Sequence, residues 1–561
     1  TLDWVVIGIF FLALIGIIVW VVKQKQNDSA DYFLGGRDAT WLAIGASIFA
    51  SNIGSEHLIG LAGAGASSGM AMAHWEIQGW MILILGWVFV PFYSRSMVYT
   101  MPEFLERRYN PQSRTILSVI SLISYVLTKV AVTVYAGGLV FQQVFGIKEL
   151  WGIDFFWIAA IGLVVLTALY TIFGGMKSVL YTSVLQTPIL LLGSLIILVL
   201  GFKELGGWDE MMSICSAVTV NEYGDTMTQL IRDNNDPNFP WLGALVGSAI
   251  IGFWYWCTDQ FIVQRVLSGK NEKEARRGTI FGAYLKLLPV FLFLIPGMIA
   301  FALHQKYIGA GGEGFLPLLA NGTANADAAF PTLVAKLLPA GVKGLVVCGI
   351  LAALMSSLAS LFNSSAMLFT IDFYKRFKPE TPEKKLVGIG QIATVVIVIL
   401  GILWIPIMRS VGDVLYTYLQ DVQSVLAPGI AAAFLLGICW KRTSAKGGMW
   451  GLIAGMIIGL TRLGAKVYYS NTAITDSSMF KYLFYDLNWL FFCGWMFLFC
   501  IIVVIAVSLM TEAPSAEKIQ GLVFGTSTPE QKAATRASWN HWDIIHTVII
   551  LAITAAFYWY F

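Results

Sequence analysis

Charge is what this chain has least of. Of its 561 residues only 12% are Asp, Glu, Lys or Arg, against about 25% in soluble globular domains. So few charges cannot cover a soluble globule of this size, because 57% of the residues are hydrophobic. The net charge of +3 provides no basic stripe for phosphates, which excludes a nucleic-acid binder. The apolar richness excludes disorder. Cysteine is sparse as well: five of the six lie in predicted spans, and Cys215 alone cannot close a loop disulfide. The alternation of a transmembrane β-barrel is missing. What remains is an all-α membrane protein.

About fourteen apolar runs reach the ~20 residues needed to cross a bilayer. Several are tipped by interface aromatics, among them Trp4, Trp20, Trp404 and Trp559. The first run lacks a basic flank and a cleavage site and reads as a span. The chain opens on Thr1, so a short preceding segment is expected. With the N-terminus outside, 24 of the 36 Lys and Arg fall in inner loops and 10 in outer ones, with Lys129 and Lys286 in spans. That bias predicts both termini outside and an even number of spans. Segments near 203–240 and 305–329 read as outer caps, the first containing Cys215 and the second an Asn321-Gly-Thr sequon. Residues 511–540 read as a charged inner loop.

Two spans do not read as plain helices. The second carries Ala50-Ser-Asn-Ile-Gly-Ser-Glu-His57 and then a run of small residues to Gly69; the seventh carries Gly252 before Trp254-Tyr-Trp-Cys-Thr-Asp-Gln260. Polar groups and glycine at mid-depth suit unwound helices whose carbonyls line a cavity. Their equivalent places suggest two inverted repeats, 41–205 and 240–438, joined by an outer loop at 206–239. Residues 1–40 precede the repeats and 439–561 follow them. The competing explanation is close packing of small residues.

Ionisable groups remain within the spans: Glu76, Lys286 and, beside the first break, His57. A charge at the bilayer centre costs at least ~2.5 kcal/mol, so it faces a partner or a wet cavity. One Glu, one Lys and several amides suit a neutral polyhydroxyl solute, whose hydroxyls donate and accept. A purely structural Glu76–Lys286 pair is the alternative. Asp421 and Lys129 read as packing or solvated-vestibule residues. Ser356-Ser357 in the ninth span, with carbonyls freed at the first break, forms an oxygen set suited to a hard cation such as sodium. Paired serines also bond back to their own helix.

Ser51-Asn-Ile-Gly-Ser, Tyr99-Thr-Met-Pro-Glu-Phe, Phe173-Gly-Gly-Met, Tyr255-Trp-Cys-Thr-Asp-Gln, Gln264-Arg, Tyr284-Leu-Lys, Ser356-Ser-Leu-Ala-Ser-Leu-Phe-Asn-Ser and Leu435-Leu-Gly-Ile-Cys-Trp-Lys-Arg follow one another in a fixed order. Together they resemble the sodium–glucose cotransporters of the sodium:solute symporter family, over about residues 30 to 470. The resemblance implies a leucine-transporter-type five-plus-five inverted repeat with one helix before it and three after. It implies sodium held by the carbonyls of Ala50, Ile53 and Ala353 and the hydroxyls of Ser356 and Ser357. Sugar would lie against Asn52, His57, Glu76, Lys286 and Gln420. Tyr255 would close the inner side with Trp256 beside it, and Leu61, Trp75 and Tyr416 the outer side.

Two departures remove oxygen ligands that many relatives have: Ser183 stands in place of an aspartate and Ala359 in place of a hydroxyl. They imply one sodium per sugar. Gly252 stands where relatives place Asn or Thr near the sugar. No nucleophile–base set appears, so no enzyme is expected. The expectation is a plasma-membrane sodium-coupled symporter for a glucose- or galactose-class monosaccharide, with sodium, the sugar and the bilayer as partners and no oligomer required. The rivals are a myo-inositol or other polyol symporter and a non-accumulating sugar-gated sensor or channel.

Overall fold

The computed structural model describes residues 2–24, 26–54, 56–319, 322–411, 415–470 and 478–561, and their side chains except 127, 128, 143, 407–411, 415–421, 467 and 470. Tyr416, Gln420 and Asp421 therefore have no described side chain, and Asn321 lies outside the described residues. The six cysteines are free thiols.

The chain is a helical membrane bundle. Among the described residues eleven helices are long and apolar enough to cross a bilayer, against about fourteen runs in the sequence. Trp41–Asn52 (α1) is cut short by the first break, and Ala131–Phe145 (α2) follows directly on the π turn Tyr125–Val130. The 51-residue stretch Phe155–Leu205 (α3) is two helices joined end to end at Gly175, where φ is +53°. A side chain at Gly175 would press on the carbonyl of Tyr32, so glycine is required there twice over.

Both expected breaks are present, and they have opposite order along the chain. After α1, Ile53 turns extended (φ −79°, ψ 107°), and a wide π turn, Glu56–Leu61, leads into the short helix Ala62–Ser67 (α4). In the second, Trp241–Gly252 (α5) passes into the π turn Phe253–Thr258, and only then does Asp259 turn extended (ψ 128°) before Gln260–Leu267 (α6). π turns are rare and concentrate at functional sites.

Small residues bring the broken helices against their neighbours. A Cβ on Gly278, in the span Glu272–Gly309 (α7), would lie 2.6 Å from Ile44 of α1, and one on Gly297 would lie 2.0 Å from the carbonyl of Ala62. Val342–Met367 (α8) runs through the middle, buried along nearly its whole length, and packs on α1 and α3. Leu415–Cys439 (α9), Ala445–Ser470 (α10) and Trp489–Met510 (α11) form a second packed group, and His541–Tyr560 (α12) lies against α7.

Candidate functional site

The two breaks face a narrow cavity of about 60 Å³, well below the usual range for small-molecule sites, so the polar side chains around it stand close together. The first break contributes Asn52, Glu56 and His57, and the second Gly252, Tyr255 and Trp256. Trp75, Glu76 and Gln78 come from the helical stretch Gly69–Ser96, Lys286 from α7 and Gln423 from α9. Asn52, His57, Glu76 and Lys286 are each 5% exposed or less.

These four side chains form a chain of contacts. Lys286 Nζ donates to Glu76 Oε2 at 2.6 Å, and His57 Nε2 lies 3.2 Å from the same oxygen. Asn52 Nδ2 is 3.4 Å from His57 Nε2. A carboxylate only accepts, so Nε2 carries the imidazole proton; the Asn52 amide nitrogen then meets it donor to donor and makes no hydrogen bond there, and Nδ1 is left as an acceptor. Nδ1 is buried without a partner among the described residues, as is the indole nitrogen of Trp75. Both contacts to Glu76 use Oε2, so Oε1 is free to accept. The Lys286 ammonium also lies 5.3 Å from the Trp256 ring centroid, a cation–π distance. A polar chain with unused donors and acceptors beside two aromatic faces has the functional groups to read a polyhydroxyl ring.

On one side the cavity is covered by Trp75, stacked on Trp489 at 5.6 Å and edge-on to Phe239 at 6.0 Å. Trp489 and Phe239 lie in distant segments and were not expected. Leu61 is buried, but it does not line the cavity. On the other side Tyr255 packs edge-on against Trp256 at 5.0 Å. Below it lies Lys129, which the sequence suggested was packed or solvated. Instead it is buried in an ion pair with Asp259 at 2.7 Å.

Gln78 occupies the place that Gly252 leaves. A Cβ on Gly252 would meet Gln78 Oε1 at 2.5 Å, and Gln78 Nε2 donates to the Ser248 carbonyl at 2.8 Å. Among the described residues, then, the missing side chain at 252 is replaced by an amide from another helix. Glu56, Gln78, Ile251 and Gln423 are the cavity residues that sequence reasoning missed. Glu56 and Gln78 adjoin residues that were singled out, so proximity in the chain was the one available signal.

The five expected sodium ligands are all buried. The first break meets α8 at Ser357: a Cβ on Gly54 would lie 3.1 Å from its hydroxyl. One turn further on, Ser51 and Ser360 share a 2.6 Å hydrogen bond. Ser356 pairs with Ser183 at 3.2 Å. Ser183 itself bonds back to the Val179 carbonyl at 2.6 Å, but among the described residues neither Ser356 nor Ser357 does so with its own helix. Their oxygens are not consumed by the helix. No cluster of three or more His, Cys, Asp or Glu suited to a transition metal occurs among the described residues.

A polar cavity between two broken helices, with a hydroxyl pair where one break touches a buried helix, defines a secondary transporter of the leucine-transporter type. Residues 32–455 match the model of the sodium:solute symporter family. The chain is 37% identical over 538 residues to the human (Homo sapiens) sodium/myo-inositol cotransporter 2, covering 93% of this chain and 79% of the relative. It is 37% identical over 529 residues to the sheep (Ovis aries) sodium/glucose cotransporter 1, covering 91% and 79%. Its fold is similar to the solved structure of a Na+-coupled sialic acid symporter in a substrate-bound, outward-open state, with a TM-score of 0.73, 22% identity, and coverage of 92% of this chain and 99% of that one. The protein belongs to the sodium:solute symporter family and is a multi-pass, sodium-coupled solute symporter.

Proposed function

We propose that the solute is a monosaccharide of the glucose or galactose class, imported with one sodium ion by alternating access. The observation that carries this is the buried Asn52–His57–Glu76–Lys286 chain, which offers amide and ammonium donors and carboxylate and imidazole acceptors to one ring beside Trp256. Gln420 is proposed to complete the set. Sodium lies between the first break and Ser356-Ser357, held by the carbonyls of Ala50, Ile53 and Ala353 and both hydroxyls. Because those groups belong to two helices, sodium favours the arrangement in which they meet, to the extent of its differential affinity for it. Sugar then draws Trp75, Leu61 and Tyr416 closed on the outer side, and Tyr255 moves aside on the inner one. Both termini face outward in this reading, at the plasma membrane.

A second reading, myo-inositol in the same site, is favoured by the similarity to sodium/myo-inositol cotransporters. Competition of labelled glucose uptake by glucose, galactose and myo-inositol separates the two. Glucose or galactose is expected to compete at the lowest concentration; inositol doing so would reverse the assignment. Gln78 is the residue expected to set that order. Gln78→Ala, which opens space against Gly252, should change the ranking of the three solutes by about tenfold, the worth of one hydrogen bond of ~1.5 kcal/mol. An unchanged ranking would remove Gln78 from solute selection. With a hydroxyl at Ser183 and none at Ala359, the ratio of sodium to sugar flux is expected near unity. A clear value of two would contradict the single site.

A further inference from the structure

Lys129 and Asp259 have no role in the cycle above, yet they are buried directly beneath Tyr255. Lys129 lies on the π turn Tyr125–Val130 that leads into α2, and it is 3% exposed. Besides its pair with Asp259, its ammonium lies over four rings: 5.0 Å from the centroid of Tyr125, 5.4 Å from Trp254, and 4.8 Å from both Tyr255 and Phe261. Asp259 is the extended residue of the second break. Its other oxygen accepts from the Tyr125 hydroxyl and from the Phe261 N–H that begins α6. One ammonium thus ties the segment before α2 to the second break, with the Tyr255 ring held between.

A second carboxylate stands on the cavity side of the same ring. Glu56 opens the π turn of the first break and lines the cavity with Tyr255, and that π turn packs against α2, the helix into which Lys129 leads. Arg265 lies over the Phe261 ring, 5.2 Å from its centroid, the ring that Lys129 also faces, and its Nε and one Nη have no partner among the described residues. Lysine is a compact charge on a flexible four-carbon stem, suited to exchange between two acceptors.

We propose that Lys129 is a two-position latch on the inner gate. Paired with Asp259, it holds Tyr255 across the inner mouth; transferred to Glu56, it frees the second break and lets the mouth open. Lys129 is then a positioning residue, acting through Tyr255 rather than on the solute. This inference rests on the transport reading above.

The two carboxylates should act in opposite directions, which a merely structural role would not produce. Ile251→Cys places a thiol in the cavity lining, and its labelling by a membrane-impermeant maleimide from the inner face of inside-out vesicles reads the gate. Asp259→Asn keeps an N-capping oxygen and is expected to speed labelling about tenfold. Glu56→Gln is expected to slow it by a similar factor. Should a single variant fail to fold, Lys129→Gln/Asp259→Asn removes both charges and is expected to label as fast as Asp259→Asn. Rates equal to the parent in the folded variants, or shifts of the same sign at Glu56 and Asp259, would overturn the latch. Absence of sodium-driven uptake by the unmodified protein would instead overturn the transport reading, because labelling reports the gate without uptake.

Discussion

Glu76→Gln is expected to weaken the apparent affinity for sugar by about a hundredfold while leaving sodium dependence in place. The carboxylate sits at the centre of the polar chain, receiving Lys286 at 2.6 Å and His57 at 3.2 Å on one oxygen. The other oxygen remains to accept a sugar hydroxyl. A hydrogen bond to a charged group is worth about 1.5–3 kcal/mol, and tenfold in affinity corresponds to about 1.4 kcal/mol. Loss of the charge also leaves Lys286 less well compensated, so its donors turn inward on the amide carbonyl of the variant and away from the solute. Breaking a buried pair costs about 3–5 kcal/mol of stability, so the amount of folded protein must be measured beside uptake. Concentration dependence of uptake at fixed sodium makes the test. Unchanged affinity in the folded fraction would make Glu76–Lys286 a structural pair.

Ser357→Ala should reduce sugar uptake to its sodium-free level, and this loss should be separable from stability. Ser357 is 5% exposed on α8 and forms no hydrogen bond to its own helix among the described residues. Alanine is a better helix former and removes only the oxygen. One lost oxygen from a hard-cation cage of five is expected to weaken sodium binding by well over tenfold, about 1.4 kcal/mol or more. Uptake measured against sodium concentration at saturating sugar reads it directly. A sodium dependence like that of the parent would take Ser357 out of the cation site.

Much of this was legible in the residues because membranes punish exceptions. Gly252, the Ala50–His57 polar run, Glu76 and Lys286 are out of place in apolar spans, and each lies at the cavity or at a break. The hydroxyl pair Ser356-Ser357 was ambiguous in sequence, since back-bonding leaves no trace there; the closeness of Gly54 to Ser357 supports the proposed cation site. Other features depend on segments far apart in the chain, which no local pattern connects. Trp489 covers Trp75 across more than four hundred residues, and Gln78 fills the place of a side chain absent at Gly252. Lys129 read as a packing or solvated-vestibule residue because a lone lysine in an apolar run has no visible partner; its partner, Asp259, belongs to the other break. The first break shortens the helix that carries it, and two apolar runs near 155 and 180 join across Gly175 into one long stretch.

Coupling itself is tested most directly by labelled sugar in proteoliposomes carrying an inward sodium gradient. One positive charge per cycle gains about 2.3 kcal/mol per 100 mV of inside-negative potential, enough for roughly fifty-fold accumulation before the chemical gradient of sodium is added. The expected result is internal sugar rising well above the external concentration and collapsing when the sodium gradient is dissipated. Uptake that stops at equal concentrations, whatever the sodium gradient or potential, would contradict sodium-coupled sugar transport.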